Sequence, residues 1–182
     1  HRDLHSFPTR RSSDLYEKIL DAAEEVVLEV GAAHMTLDAV SQKAGVSKGG
    51  LIYNFPTKES LLQAMVKRFA DHFSSERKRQ QSRLKKTPSR GVKAHIRSFL
   101  SSNPKTDRLF AALLAAVAHD PKLMDPIRSE YRRLLDDLTA DGLALERAAA
   151  IALAIDGLKF IEILQVHSFS ASQRKAILNQ LL

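Results

Sequence analysis

Between Thr36 and Lys58 the chain gathers donors suited to a phosphate or to the edge of a nucleic-acid base. They are the hydroxyls of Thr36, Ser47 and Tyr53, the ammonium groups of Lys48 and Lys58, the amide of Asn54 and the bare backbone of Gly49 and Gly50. Lys48 falls at the start of a short predicted helix, from which side chains reach guanine edges or phosphates. Tyr53, about one turn further on, offers its hydroxyl to a phosphate. Lys58 lies in the first turn of the following helix, where the helix dipole disfavours a cation by a few tenths of a kcal/mol; an external phosphate reverses that sign. The paired glycines weaken a short helix by roughly 1 kcal/mol each relative to alanine. Close approach of their N–H groups to DNA is one compensation, and close packing is the other.

The elements that must hold these groups are legible in the stretch TLDAVSQKAGVSKGGLIYNFPTKE, Thr36 to Glu59. It reads as two short helices and a tight turn, with a third helix starting straight after. Thr36 is an N-cap for the first, which sets Leu37, Val40 and Ala44 on one side. Gly45 stands where the chain must turn and a residue without Cβ is cheapest. Val46 fills the angle between the helices, Ser47 caps the second, and Leu51, Ile52 and Phe55 are its expected apolar anchors. Pro56 ends it. The preceding helix, Tyr16 to Val30, carries Ile19, Leu20, Ala23, Val26, Val27 and Val30 at helical spacing and closes at Gly31.

On these residues the chain resembles the TetR/AcrR family of transcriptional regulators. AGVSKGGLIYNFPTKESLL, Ala44 to Leu62, is similar to that family's signature around the recognition helix, and the resemblance extends over about Tyr16 to Phe73. It implies an all-α fold, with an N-terminal three-helix helix-turn-helix domain that binds DNA followed by a helical effector-binding and dimerisation domain. It also implies a DNA-contacting set of Thr36, Ser47, Lys48, Gly49, Gly50, Tyr53, Asn54 and Lys58. Many members carry Tyr at the place of Ile52 and His or Tyr at that of Asn54, so Tyr53 is left to supply the phosphate-binding hydroxyl alone. Downstream, HDPKLMDPIRSEY and AIDGLKF are the fragments that resemble family effector domains.

Composition bounds the alternatives. The formal charge of +7 is unevenly spread: residues 16 to 42 hold one lysine against six acids, whereas residues 43 to 90 hold twelve basic residues against three acids. An electropositive reading helix is the electrostatic footprint of a DNA-binding surface. Residues 91 to 182 are nearly balanced, twelve against ten, and are not expected to follow a phosphate backbone. The run ERKRQQSRLKK, Glu76 to Lys86, reads as a solvated helix end. With no cysteine, a disulfide framework and a Cys-ligated metal site are excluded, and a reducing cytoplasm fits. The most apolar candidate span, Ala148 to Val166, contains Asp156, Lys159 and Glu162, so no membrane crossing is expected. There is no glycine loop for phosphates, no nucleophile elbow and no His-Glu-x-x-His pair; we expect no enzyme, cofactor or metal.

The stretch HSFPTRRSSDL, His5 to Leu15, resembles one translated frame of a sequencing adaptor, so residues 1 to 15 are set aside from fold reasoning. A genuine basic arm is the alternative. The expected layout is then 16 to 60 for the reading domain, 61 to 90 for a connecting helix and linker broken at KTPSRG, and 91 to 182 for effector binding and dimerisation. Further helices are expected at about 91 to 102, 107 to 119, 121 to 141, 145 to 167 and 171 to 182. The expected effector, an apolar or amphipathic small molecule, binds among Phe99, Phe110, Leu114, Tyr131 and Phe160. His119, His167, Asp156, Lys159 and Glu162 are the polar groups placed to orient it, although the last three favour an ion-pair ladder on one helix face. Ala148, Ala149, Ala152, Leu153, Ile155, Gly157, Phe160, Ile161 and Leu164 coat most of one helix with apolar or small residues, so more than one partner must cover it; together with Ile177, Leu178, Leu181 and Leu182 they form, as the family resemblance implies, a four-helix homodimer interface. The resulting expectation is a ligand-responsive repressor that holds a near-palindromic operator in double-stranded DNA as a dimer. The alternative is a helical ligand-binding or protein-interaction module that has lost DNA recognition, for which Ile52 and Gly50 are the motive.

Overall fold

The computed structural model describes residues 10–87, 89–140 and 142–182, so that Pro88 of the expected break and residues 1 to 9 lie outside the described residues. Among the described residues the fold is all-α: α1 (Arg10–Val30), α2 (Leu37–Ala44), α3 (Lys48–Asn54), α4 (Lys58–Ser82), α5 (Arg90–Leu100), α6 (Pro104–His119), α7 (Asp125–Ala140), α8 (Leu145–Ile163) and α9 (Ala171–Asn179). A 3-10 turn, Pro121–Met124, precedes α7 and divides the helix expected over 121 to 141. The chain forms two compact units, one running to Val66 and including Ala112–Leu123, the other comprising Lys67–Ala111 and Met124–Leu182. The boundaries fall inside α4, inside α6 and within the Pro121–Met124 turn.

In the first unit, α1 buries Ile19, Leu20, Ala23, Val26 and Val27, while Val30 at its end is about half exposed. It begins at Arg10, six residues before Tyr16, the start expected from the sequence. Gly31, at φ +82°, accepts the N–H groups of His34 and Met35. Thr36 then caps α2 by accepting the Ala39 N–H at 3.1 Å. Gly45 takes φ +62° and ψ +40°, the left-handed region that a Cβ disfavours. From there the Val46 N–H reaches the Ser41 carbonyl at 3.0 Å, the six-residue closure that stops a helix and turns the chain. Ser47 caps α3 through the Gly50 N–H at 3.1 Å.

α3 is anchored by Leu51 and Phe55, which are 0% and 2% exposed, and the Phe55 ring lies 4.8 Å from that of Tyr16. Ile52 is no anchor, contrary to the sequence expectation. It is 39% exposed, because one residue step rotates it about 100° away from the Leu51–Phe55 stripe and onto the side of Tyr53. Lys43 ties α2 to α1 through Glu29 and Glu25.

The second unit packs around α8. Ala148, Ile151, Ala152, Ile155 and Leu158 meet Val92, Ile96 and Phe99 from α5, Leu134 and Leu138 from α7, and Leu178 from α9. α9 is started by a capping box in which Ser170 and Gln173 satisfy each other's backbone N–H groups. This core corrects part of the expected dimer face: Ala148, Ala152, Ile155 and Leu178 are buried within the chain, and Ile177 and Leu181 pack against the same core. Leu153, Phe160, Ile161, Leu164 and Leu182 remain exposed. The apolar coat that suggested an intermolecular face is spent in part on the chain's own core.

Two glycines separate strain from tolerance. Gly45→Ala should lower stability by about 1–2 kcal/mol through the left-handed penalty, visible as a lower Tm. At Gly49 nothing lies within 4 Å of a built Cβ. Gly49→Ala should instead be neutral or raise stability by up to about 1 kcal/mol, and a loss there in the same melting experiment contradicts the packing described.

Candidate functional site

α3 presents a face with two kinds of group. The Tyr53 side chain projects almost wholly into solvent, 86% exposed, beside the partly exposed Ile52. Lys48, four residues before Ile52, is also exposed, with its Nζ 2.8 Å from Asp38 Oδ1 of α2. Four residues is one helical turn, so Lys48 and Ile52 lie above one another on this face, a polar tip beside an apolar contact. The ion pair holding Lys48 is exposed on both sides and therefore easily exchanged for another anion. Gly49 is open, whereas a Cβ at Gly50 meets Ser47 Oγ at 3.2 Å, so the second glycine accommodates the N-cap. Asn54 turns inward and donates from Nδ2 to the Gly50 carbonyl at 2.9 Å. Its amide supports the helix rather than extending from it.

Thr36 and Ser47 are both engaged as caps, and both residues are exposed. Lys58 lies at the first position of α4, whose start is held by Thr57 and Ser60 exchanging backbone and side-chain hydrogen bonds. Its Nζ donates to the Ala33 carbonyl at 2.6 Å, closing the loop between α1 and α2. The free chain thus gives this ammonium an internal partner that sequence spacing does not disclose. Ile52 is the residue of this face that sequence reasoning missed, and the signal was its position one turn after Lys48.

The second unit contains a cavity of about 630 Å³. Phe110, Tyr131 and Phe160 line it; Phe99 and Leu114 do not. Phe99 belongs to the core beside α8, with Lys159 Nζ 5.3 Å from its ring centre. Leu114 falls in the segment Ala112–Leu123 of the first unit. The aromatic wall is extended by Phe69 and Phe73: Phe69 stacks on Phe110 at 4.8 Å and 11°, and Phe110 leans on Phe160 at 5.5 Å. Met124, Ile127 and Ile163 complete much of the apolar surface.

Its polar groups are few and mostly buried. Arg77, within the run expected to be a solvated helix end, is 6% exposed and reaches Glu130 at 2.5 Å and Asp137 at 3.5 Å. It follows Phe69 and Phe73 at four-residue spacing, the signal that would have placed it inward. His95 stands with Val92, Ile96 and Phe99 on the buried face of α5, and neither ring nitrogen has a hydrogen-bond partner. Burial, helped by the positive charge of Arg77, pushes its pKa down to about 4. The His95 Nε2 is 3.8 Å from Asp156 Oδ1, and burial pushes the Asp156 carboxyl up to about 6, against a smaller opposing pull from Arg77. Burial also raises the Tyr131 phenol, with Asp156 adding to the effect, and its hydroxyl has no partner.

The expected ladder of Asp156, Lys159 and Glu162 does not form. Lys159 Nζ pairs with Asp107 of α6 at 2.6 Å, and Glu162 accepts from Arg174 of α9 at 2.8 Å. An i, i+3 pair on a helix surface contributes only about 0.2–0.5 kcal/mol, so partners brought close by neighbouring helices readily compete with it. His119 is exposed at the end of α6, and exposed His167 lies with its ring 4.5 Å from Phe169; neither lines the cavity. Among the described residues no group of three or more His, Cys, Asp or Glu is disposed to hold a metal ion.

Two family models match this chain: "Bacterial regulatory proteins, tetR family" over residues 19–65 and "Tetracyclin repressor-like, C-terminal domain" over residues 89–182. The chain is similar to the HTH-type transcriptional regulator RutR of Escherichia coli K12, 30% identical over 135 residues, which are 72% of this chain and 62% of that relative's length. It is also similar to the HTH-type transcriptional regulator BetI of Serratia proteamaculans, 28% identical over 172 residues, covering 88% of this chain and 87% of BetI. Among solved structures, the fold resembles a transcriptional regulator of Streptomyces coelicolor, TM-score 0.76 at 21% identity, over 92% and 96% of the two chains. It resembles too the multidrug binding protein EbrR in complex with ethidium, TM-score 0.70 at 20% identity, over 93% of this chain and 98% of EbrR.

The two perturbed groups of the cavity act on stability in opposite senses. His95 has a folded pKa of about 4 against an ordinary 6.5, so the unfolded chain binds the proton more readily and stability is lost as pH falls through that window. Asp156, at about 6 against an ordinary 3.8, is protonated more readily in the folded chain and gains stability as pH falls from about 6 to 4. His95→Gln should therefore be most favourable relative to the parent near pH 5. Asp156→Asn should be most favourable at pH 7. Urea melts of both variants at the two pH values check this, and parallel shifts would refute it. A second expectation concerns the buried pair: Arg77→Met alone should cost about 3–5 kcal/mol, and less when combined with Glu130→Gln in a double-mutant cycle.

Proposed function

The chain belongs to the TetR family of bacterial regulatory proteins, and on that premise we propose that it is a repressor that reads duplex DNA with α3 and releases it when a small molecule occupies the cavity of the second unit. The observation that carries the reading is the exposed face of α3. Lys48, Ile52 and Tyr53 point outward from a helix fixed by the Gly45 turn and the Ser47 cap. A major groove accepts such a helix, and its base edges offer acceptors to lysine and thymine methyl groups to an apolar residue. Lys48 and Ile52 take the base edges. Tyr53, Thr36, Ser47 and Lys58 take the backbone, and open Gly49 lets the helix approach closely; Gly50 and Asn54 keep that helix in shape.

The effector enters among Phe69, Phe73, Phe110, Tyr131 and Phe160, a wall of the kind that small-molecule sites present. EbrR, of like fold, has been solved with ethidium, which supports a ligand role for this class of cavity. Two copies associate through the exposed stripe of Leu153, Phe160, Ile161 and Leu164 on α8. Such a dimer carries two reading helices to half-sites about 34–36 Å apart. No described helix is long and apolar enough to cross a membrane, which accords with work on cytoplasmic DNA.

Affinity for an operator fragment and for random duplex, each measured against salt, tests the assignment. Lys58→Ala should weaken both nearly alike and reduce the salt slope by about one. Lys48→Ala should instead relax preference at one operator position at a cost of about 1–3 kcal/mol. If neither variant alters either affinity, α3 is not the surface that meets DNA. Ile161→Arg should yield a folded monomer by light scattering, and an unchanged mass assigns the interface elsewhere.

A further inference from the structure

The charges around the cavity are unequally satisfied. Arg77 has Glu130 and Asp137, Lys159 has Asp107, and Arg128 has Asp125 at 2.5 Å. Asp156 has no cation within hydrogen-bonding distance among the described residues. Its neighbour is His95 Nε2 at 3.8 Å, an imidazole that stays neutral in its buried setting. Close by, both His95 ring nitrogens and the Tyr131 hydroxyl are buried without partners. A carboxylate, an imidazole lone pair and a phenol oxygen are acceptors in search of donors, and they open onto the aromatic wall of Phe69, Phe110 and Phe160.

We infer that the ligand of this cavity is an aromatic or otherwise amphipathic organic cation, a protonated amine or amidine, whose charged head donates hydrogen bonds to Asp156 and whose body lies among the phenylalanine rings. The inference rests on the reading that this cavity takes the effector. Other classes fit the cavity less well. At Arg77 or Lys159 an anion gains a partner only by displacing Glu130 or Asp107, and a buried carboxylate stripped of its cation is costly; Arg132, the lining arginine without an ion pair among the described residues, is exposed to water, where a charge pair contributes little. A neutral apolar ligand removes the remaining water from Asp156 and supplies no compensating charge. A cation satisfies the carboxylate, and the ring faces, negative by their quadrupole, attract the same charge. Asp156 thereby selects the class of ligand, and the rings set its shape.

Three probes with one aromatic body and different heads test this: 2-(2-naphthyl)ethylammonium, 2-(2-naphthyl)ethanol and 2-naphthylacetate, titrated calorimetrically into the full chain. The ammonium should bind at least tenfold more tightly than the alcohol, and the acetate most weakly. Asp156→Asn, its fold verified by circular dichroism, should reduce ammonium affinity at least tenfold and leave the alcohol unchanged. In the parent chain, ammonium affinity should also fall about tenfold per pH unit below about 6, as Asp156 takes a proton. The other titratable and charged groups of the cavity around Asp156 are Arg77, paired with Glu130, Lys159, paired with Asp107, the exposed Arg128 and Arg132, His95, whose pKa is pushed about two units lower than that of Asp156, and Tyr131, whose phenol is raised. Equal or tighter binding of the alcohol or the acetate, no binding by any probe, or full ammonium affinity in Asp156→Asn overturns the assignment. The effector reading stands or falls separately: probes that bind but leave operator affinity unchanged at saturation refute that reading while the cation site remains.

Discussion

A helix of seven residues containing two adjacent glycines cannot hold itself together in water, where isolated helices shorter than about 12–15 residues are marginal. α3 exists because everything around it supplies what its own sequence withholds. The Gly45 turn sets its direction, Ser47 satisfies its first amide groups, and burial of Leu51 and Phe55 fixes its rotation. α1 and α2 provide the floor, and Tyr16 meets Phe55 from below. Once that rotation is set, no freedom remains for the exposed side. Lys48, Ile52 and Tyr53 face outward because Leu51 and Phe55 face inward.

Two basic groups close to α3 in sequence are paired in the free chain. Lys48 on Asp38 and Lys58 on the Ala33 carbonyl are held without being buried, so they are oriented at little cost and surrendered at little cost to a stronger anion. A phosphate backbone is such an anion. The inner pair of the second unit behaves differently. Arg77 and Glu130 are both nearly enclosed, so separating them costs far more than the pair contributes by existing. That pair lines the same cavity as Asp156 and His95, which have no such partner among the described residues.

The layout of helices, the capped turn and the anchors Leu51 and Phe55 were legible from the sequence, because caps, left-handed glycines and four-residue spacing are local signals that survive without tertiary context. The charge asymmetry around the reading helix was legible for the same reason. Less legible were the individual faces. Ile52 was assigned inward on hydrophobicity alone, although its rotation from Leu51 places it outward. Arg77 was read as solvated from the charged run around it, and is buried.

What the sequence by itself determined is therefore the order of elements and the place of the short capped helix α3, since both follow from backbone propensity and period. Only the tertiary structure decided which residues share a space. Phe69, Phe73, Phe110, Tyr131 and Phe160 come from four helices, and their union as one wall depends on packing between segments far apart in the chain. The partners of Asp156, Lys159 and Glu162 were decided in the same way. A charged side chain can be attracted to several neighbours at helical spacing, and which one it reaches depends on the helices that fold against it and on the water they exclude.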